Sequence, residues 1–506
     1  MDERRNTMDQ MKSLIALIGC VIAVNAQTTA AFEARLQQVM GRPEYRHSRF
    51  GVELYSLDEA RSLYSLNADQ LFVPGSTTKL LTMGAALAVL GPDFRFHTRV
   101  YRSGPDLVLV AAGDPNLSNR IQPDGSLAFQ NVDHSYSATP GAKVVPGDPL
   151  AVIRQLAKQV AARGIAGIEG RVLVDASLFP EGDRELGTGV VISPIVVNDN
   201  VIDLTFTPGA KQGDTAAFVI SPQTSYVHFI NSLKTGAPGT PFSLNINTDQ
   251  HNVTLQGSVP QGSPPVLRVY RVPEPSLFAA TAFSEALERE GVRVSGATGR
   301  TEKRMYAEQD LLAEHVSPKL IDATRVVLKV SQNLHASMMP YVVGAIAGKA
   351  TERIAQAGFD LEHQFLEKAG LDLSSASQSD GAGGAALYTP AFMVRYLAYL
   401  SKQPFFPGFF NALPVLGTDG TLWDIQTGTP AAGHVMAKTG TFSETNALDR
   451  NLVVTGKGLA GFVKTRTGKN LAIAVYANFI PGNSESIAHA VGDALGEIAG
   501  AAYELH

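Results

Sequence analysis

Val73-Pro74-Gly75-Ser76-Thr77-Thr78-Lys79-Leu80-Leu81-Thr82 is the stretch whose reading decides the fold. Residues at i and i+3 share a helix face, so Ser76 and Lys79 set an amine beside a hydroxyl. A serine hydroxyl is a poor nucleophile until a neighbouring group takes its proton. Pro74 and Gly75 precede the serine, and Thr77 to Leu90 reads as helix until Gly91-Pro92 stops it. Ser76 is therefore expected to open a helix, where unpaired N–H groups and the helix dipole favour developing negative charge. The chemistry this suggests is acyl transfer through a covalent serine ester.

Alone, a Ser-x-x-Lys is equally well a capped helix with a surface lysine. Two later elements change its weight. Ser331-Gln332-Asn333 and then Lys438-Thr439-Gly440 follow it along the chain, and the three in that order are the signature of penicillin-binding proteins and serine β-lactamases. Decoys exist and are set aside by context. Lys234-Thr235-Gly236 runs into Ala-Pro-Gly-Thr-Pro and reads as loop, whereas Lys438 sits in a stretch that can run as a strand beside a cleft. Ser243-Leu244-Asn245 alternates with apolar neighbours as an ordinary strand does, and Ser65-Leu66-Asn67 reads as a turn.

Further motifs carry a resemblance over nearly the whole mature chain. Gly113-Asp114-Pro115-Asn116-Leu117, His315-x-Ser317-Pro318-x-Leu320, Asp380-Gly381-Ala382-Gly383 and Leu413-Pro414-x-x-Gly417-x-x-Gly420-Thr421-Leu422 flank the three elements. With them the chain resembles the D-alanyl-D-alanine carboxypeptidase/endopeptidase type of penicillin-binding protein, low-molecular-mass class C. There are departures. Ala382 stands where that family usually has serine, and Gln332-Asn333-Leu334-His335-Ala336-Ser337 replaces its common Asp-Asn-x-x-Ala-Glu. These bear on substrate detail and rate and leave the three elements intact.

The resemblance implies a fold and a set of roles. The fold is α+β, a transpeptidase-like antiparallel sheet flanked by helices and interrupted by a large β-rich insertion. Ser76 would attack the carbonyl of the penultimate D-alanine of a peptidoglycan stem peptide. Lys79 would take its proton, since burial and a neighbouring cation, Lys438, both lower a lysine pKa. Ser331 would relay the proton to the departing amine, and Asn333 would hold the substrate amide and orient Lys79. Lys438, with Thr439, Gly440 and Thr441, would receive the terminal carboxylate, and the N–H groups of Ser76 and Thr441 would form the oxyanion hole. No cofactor or metal is implied. β-Lactams would acylate the same serine. His134, His315 and His434 lack ligand spacing and read as surface or structural residues. Asp114 and Asp380 sit in Gly-rich turns where a carboxylate caps backbone N–H groups.

Composition agrees with a large enzyme. The chain has 506 residues, 44% hydrophobic and 18% charged, with a net charge of -5, enough for more than one core. No basic stripe points to nucleic acid. Cys20 is the only cysteine, which removes disulfides and thiol chemistry from the mature body. Lys12 precedes an apolar run from Leu14 to Val24 that is too short for an ordinary membrane span, and Val24-Asn25-Ala26 offers a cleavage site. Residues 1–26 are expected to be a signal peptide and the protein exported, in the periplasm. Leu17-Ile18-Gly19-Cys20 resembles a lipobox, which leaves lipid anchoring through Cys20 open. No other segment reads as a membrane span.

Spacing gives the domain order. Residues 27–97 would form the first part of the penicillin-binding domain, 98–272 one or two inserted β-rich domains, and 273–506 the second part. The insertion is read from strand-like runs such as Asp106 to Val110 and Val266 to Tyr270, with one clear helix from Pro149 to Arg163. The main domain would resume with a helix near Pro275 to Glu290 and end with a hairpin turning at Thr465 to Lys469. A last helix would carry Ile487, Val491, Leu495 and Ile498 as an apolar stripe. Two rival functions share these elements: a non-enzymatic cell-wall scaffold and a serine β-lactamase. No deacylating glutamate is identifiable in the sequence, and the insertion is foreign to compact β-lactamases.

Overall fold

The computed structural model describes residues 29–249, 251–301, 305–482 and 486–506. The expected signal segment and Cys20 lie outside the described residues.

Phe50, Val52 and Leu54 alternate along the strand Arg49–Ser56 and are all buried. That strand pairs antiparallel with Asn470–Asn478 on one side and Arg61–Leu66 on the other. The sheet runs in the order Val435–Thr445, Leu452–Lys464, Asn470–Asn478, Arg49–Ser56, Arg61–Leu66, with Ile480–Gly482 added along Leu452–Lys464. Every neighbour is antiparallel. Side chains alternate between two cores, as the pleat requires. Leu471, Ile473 and Val475 meet the helix over 29–40 and the C-terminal helix Ser486–Leu505 through Val491, Leu495 and Ile498. Ala472, Ala474 and Tyr476 face the core that includes residues of Lys79–Leu90, Asn333–Ile346 and Pro390–Leu400. Both faces are covered, which is why Leu-Ala-Ile-Ala-Val-Tyr-Ala reads as a continuous apolar run.

The region between the catalytic motifs has its own core. A five-stranded mixed sheet in the order Thr298–Thr301, Val172–Asp175, Asp106–Val110, His97–Ser103, Leu311–Val316 lies at its centre. Among the described residues smaller sheets flank it, including a two-stranded one of Gly167–Ile168 with Arg293–Val294. Another joins Val266–Arg271, Val201–Thr207 and Ala217–Ser221, and a further one is built on Asn252–Pro260.

Three expectations are corrected here. The helix Pro275–Arg289 packs through Phe278, Ala282, Phe283 and Leu287 in the core of the inserted region, not in the main domain. Strand Leu311–Val316 likewise pairs with His97–Ser103, so the boundary set at 272 moves to the turn before the helix Leu320–Val330. Helical periodicity marks a buried face without saying which core takes it. Ser65 lies in the strand Arg61–Leu66 and bonds to Glu53 through its hydroxyl. Lys234–Gly236 is a short strand of the insertion instead of a loop, still far in topology from the catalytic sheet.

Behind the helix Lys79–Leu90, a cleft of about 380 Å³ is lined by Leu81, Glu362, Gln378 and Tyr388. Glu362 is 6% exposed, and its Oε1 has no hydrogen-bond partner. Burial raises its pKa to about 8, only partly opposed by Gln378. The folded protein thus holds a proton there that the unfolded chain, with an ordinary glutamate, releases at lower pH. Stability contributed by this group is lost as pH rises from about 4.5 toward 8. Glu362→Gln should remove that slope. We expect it to unfold at higher denaturant than wild type at pH 8.5, by up to about 4 kcal/mol, with the gap closing at pH 4.5.

Candidate active site

Pro74 and Gly75 do not lead straight into an α-helix. Gly75–Thr78 forms a 3-10 turn, and the α-helix runs from Lys79 to Leu90, closed by Gly91 at φ 89°. Ser76 is half-buried at this turn, while Lys79 is fully enclosed. Thr77 and Thr78 pin the turn by donating their hydroxyls to Pro74 O at 3.1 Å and Gly75 O at 3.0 Å. The edge strand Val435–Thr445 lies against it. A side chain at Gly440 would sit 2.0 Å from Pro74 O and 3.0 Å from Ser76 N, and one at Gly75 (φ 54°) would sit 2.6 Å from Thr441 N. Glycine at both positions is what lets the serine turn and the strand approach backbone to backbone, with Thr441 N against Gly75 and Ser76 N against Gly440.

Four acceptors converge on Lys79 Nζ: Ser76 Oγ at 2.6 Å, Asn333 Oδ1 at 2.6 Å, Ala382 O at 3.2 Å and Ser331 Oγ at 3.4 Å. An amine that donates to Asn333 and Ala382 has its third position directed at Ser76. Burial lowers the pKa of Lys79 to about 7, against the pull of Glu185 and Asp380. An amine poised there can carry a lone pair at neutral pH and accept the Ser76 proton. Asp380 shapes the same corner. Its Oδ1 accepts from Ala382 N, Gly383 N and Gly384 N and its Oδ2 from Ala385 N, which aims Ala382 O at Lys79. Alanine in place of serine leaves the Lys79 contact in place, because the backbone carbonyl makes it.

Ser331 closes the helix Leu320–Val330 in the left-handed region, at φ 61° and ψ 36°. A non-glycine residue there costs on the order of 1 kcal/mol and needs outside support. Gln332 begins the next helix by accepting Leu334 N at 2.9 Å, so Ser331 and Asn333 point into the same space. Lys438 is fully buried and 2.8 Å from Thr439 O. Burial, then the charges of Lys79 and Lys457, hold its pKa well below normal. Thr439 donates to Thr421 Oγ1 at 2.7 Å, and Thr441 accepts from Lys457 Nζ at 2.8 Å.

The structure therefore brings together Ser76, Lys79, Ser331 and Asn333 by direct contact, with Lys438 in electrostatic reach and Gly440 and Thr441 against the serine turn. Sequence reading missed Lys457, whose pKa burial lowers to about 8; a lone lysine inside the apolar strand Leu452–Lys464 was its only signal. It also missed Glu185 and Tyr136, which belong to the insertion and which no motif marks.

Among the described residues, Asp133, His134 and Asp199 offer ligand atoms within 4.8 Å of one another. A guanidinium already serves these carboxylates: Arg120 Nη2 lies 2.5 Å from Asp133 Oδ2 and 2.6 Å from Asp199 Oδ2. Burial would lower the pKa of His134, but Asp203 and Asp199 at 2.8 Å each raise it well above normal. His315 lies 3.5 Å from Asp114, and His434 stacks on Tyr503.

An antiparallel sheet with a turn-borne serine, a buried lysine on that serine and a Ser-x-Asn turn across from a Lys-Thr-Gly strand defines an active-site-serine acyl-transfer enzyme. Residues 32–499 match the D-Ala-D-Ala carboxypeptidase 3 (S13) family, and the chain belongs to it, a serine-type peptidase family. It is similar to a D-alanyl-D-alanine carboxypeptidase of Actinomadura sp. (strain R39), 28% identical over 448 residues that cover 82% of this chain and 77% of that one. It is also similar to the penicillin-sensitive carboxypeptidase A of Dictyostelium discoideum, 25% identical over 85% of this chain and 82% of that one. Among solved structures, penicillin binding protein 4 of Haemophilus influenzae shares the fold, with a TM-score of 0.72 and 20% identity over 93% of this chain and 98% of that one.

A base that must be neutral sets the sign of the pH dependence. Acylation of Ser76 should be slow while Lys79 is protonated and rise through a midpoint near 7, falling about tenfold per pH unit well below it. Second-order rate constants for a β-lactam between pH 5 and 8 check this; a flat profile would remove Lys79 as the base.

Proposed function

We propose that the protein is a D-alanyl-D-alanine carboxypeptidase/endopeptidase that cleaves peptidoglycan stem peptides through a Ser76 ester and is acylated there by β-lactams. The observation that carries this is Lys79 Nζ held 2.6 Å from both Ser76 Oγ and Asn333 Oδ1 in a fully enclosed position. Ser76 Oγ attacks the carbonyl of the penultimate D-alanine as its proton passes to Lys79. The N–H groups of Ser76 and Thr441 receive the oxyanion. Lys79 hands that proton to Ser331 as Ser331 gives its own to the leaving nitrogen, the C–N bond breaks, and free D-alanine departs with Lys79 neutral again. Asn333 holds the substrate amide, while Lys438, Thr439 and Gly440 line the place of the terminal carboxylate. Water then attacks the ester, its proton returns through Lys79, and Ser76 is restored. On a cross-linked stem the same steps release the partner strand.

Membership of the family, the names of the relatives and a β-lactam complex of the Haemophilus influenzae protein support this reading. They also favour an exported, cell-wall location. Among the described residues no helix is long and apolar enough to cross a membrane.

The β-lactamase reading is weaker. Glu185, the buried carboxylate whose charge reaches Lys79, already accepts Gly187 N, Thr188 N and Thr188 Oγ1, which leaves it poorly placed to activate water. The scaffold reading has no observation in its favour.

Intact-mass measurement after incubation with benzylpenicillin is the test. One lasting adduct per chain is expected on wild type and none on Ser76→Ala, with release of D-alanine from a D-Ala-D-Ala peptide by wild type alone. Rapid drug turnover with a brief adduct would favour the β-lactamase, and no adduct with no peptide cleavage would favour the scaffold.

A further inference from the structure

The inserted region touches the catalytic motifs at more places than docking requires. Tyr136 donates its hydroxyl to Ser331 O at 2.6 Å, the carbonyl of the residue held left-handed at φ 61°. Asn131 Oδ1 accepts Gly420 N at 2.9 Å, next to Thr421, whose hydroxyl meets that of Thr439. Gln332 Nε2 lies 3.3 Å from Asp199 Oδ2, 3.3 Å from Ser135 Oγ and 3.4 Å from Asp133 Oδ1. His335, in the first turn of the Asn333–Ile346 helix, meets Asp199 Oδ1 through Nε2 at 2.7 Å. Gly187 abuts Asn333, since a side chain there would lie 2.3 Å from Asn333 Nδ2.

Asp199 is the centre of this junction, and the chain is strained to hold it. Asn198, Asp199 and Asn200 all have positive φ, 48°, 54° and 53°, although Asn and Asp ordinarily visit that region singly. The turn is fully buried, and Asp199 gathers Arg120, His134, His335 and Gln332 on its two oxygens. Arg120 Nε and Nη1 remain without hydrogen-bond partners. A buried charged network that is strained and incompletely satisfied is a poor way to stabilise a fold. Such strain gathers where geometry serves function.

We propose that the insertion is a working part of the active site. In this reading, which rests on the acyl-transfer function above, Tyr136 and Asp199 are positioning residues that fix the Ser331-Gln332-Asn333 turn against Lys79. Segment 131–136 acts as a strap, tied to the Ser-x-Asn turn through Tyr136 and to the approach of the Lys-Thr-Gly strand through Asn131. Asn333 Oδ1 then meets Lys79 Nζ and Ser331 Oγ points toward the leaving group because the strap and the Asp199 turn hold them there, and the main domain alone lacks these anchors.

The experiment compares Tyr136→Phe, which removes one O–H, and Asp199→Asn, which removes one charge, with Val259→Ala. Val259 is buried in the insertion's core away from this junction, so its variant controls for lost stability. Acylation by benzylpenicillin is followed by intact mass at saturating drug, on full chains whose circular dichroism is native and well below each melting point. Tyr136→Phe should acylate about 5- to 10-fold more slowly, the worth of one hydrogen bond. Asp199→Asn should lose at least about 30-fold, and the adduct should still form on Ser76. Val259→Ala should lower the melting point and leave the saturating rate within twofold. Variant rates within twofold of wild type, or an equal loss in Val259→Ala, would overturn the proposal while leaving Ser76 acylation intact. If Asp199→Asn fails to fold, Tyr136→Phe decides on the same criterion. No acylation in wild type would overturn the peptidase reading and this proposal with it.

Discussion

Enclosing the amine of Lys79 costs several kcal/mol if it is charged and leaves polar atoms wanting if it is not; the arrangement of the main domain follows from meeting that demand. A lysine 0% exposed needs acceptors, and three separate stretches of chain supply them: the serine turn, the Ser-x-Asn turn and the loop at Asp380. Each of those is built so that a backbone or side-chain oxygen ends at one point. Burial in turn lowers the lysine's proton affinity toward neutrality. The contacts that make the amine tolerable are thus the ones that would make it a base.

Close backbone approach is the second constraint. Gly75 and Gly440 remove the side chains that would separate the serine turn from the edge strand, and the strand can approach because it is the last in its sheet. A central strand would have spent its outer edge on a neighbour. Lys438 and Lys457 lie on adjacent strands, and burial, then the charges of Lys79 and Lys457, hold Lys438 well below its ordinary pKa.

Much of the fold was legible locally. The alternation at Phe50, Val52 and Leu54, the hairpin at Thr465 to Lys469 and the stripe from Ile487 to Ile498 all appear as read, because each depends on residues close in sequence. The three motifs were legible for the same reason. Errors fell where a segment's period was correct but its partner was remote. Pro275–Arg289 is the helix its pattern foretells, yet it joins the other core. Ser65 is in a strand because Arg49–Ser56 lies beside it.

The sequence by itself determined which chemistry is present: a serine three residues before a lysine, the Ser-x-Asn and Lys-Thr-Gly elements, and the glycines that permit close contact. Their meaning is carried by residue type and short spacing, which a chain cannot lose on folding. Only the tertiary structure decided how they meet and what holds them. Glu185, Tyr136 and Asp199 reach the site from the insertion, and Lys457 from the strand paired with Val435–Thr445; which residues meet there is set by packing, register and burial, not by local pattern. The proton affinity of Lys79 belongs to that second group too, because it is fixed by the enclosure around the amine and not by the residue itself.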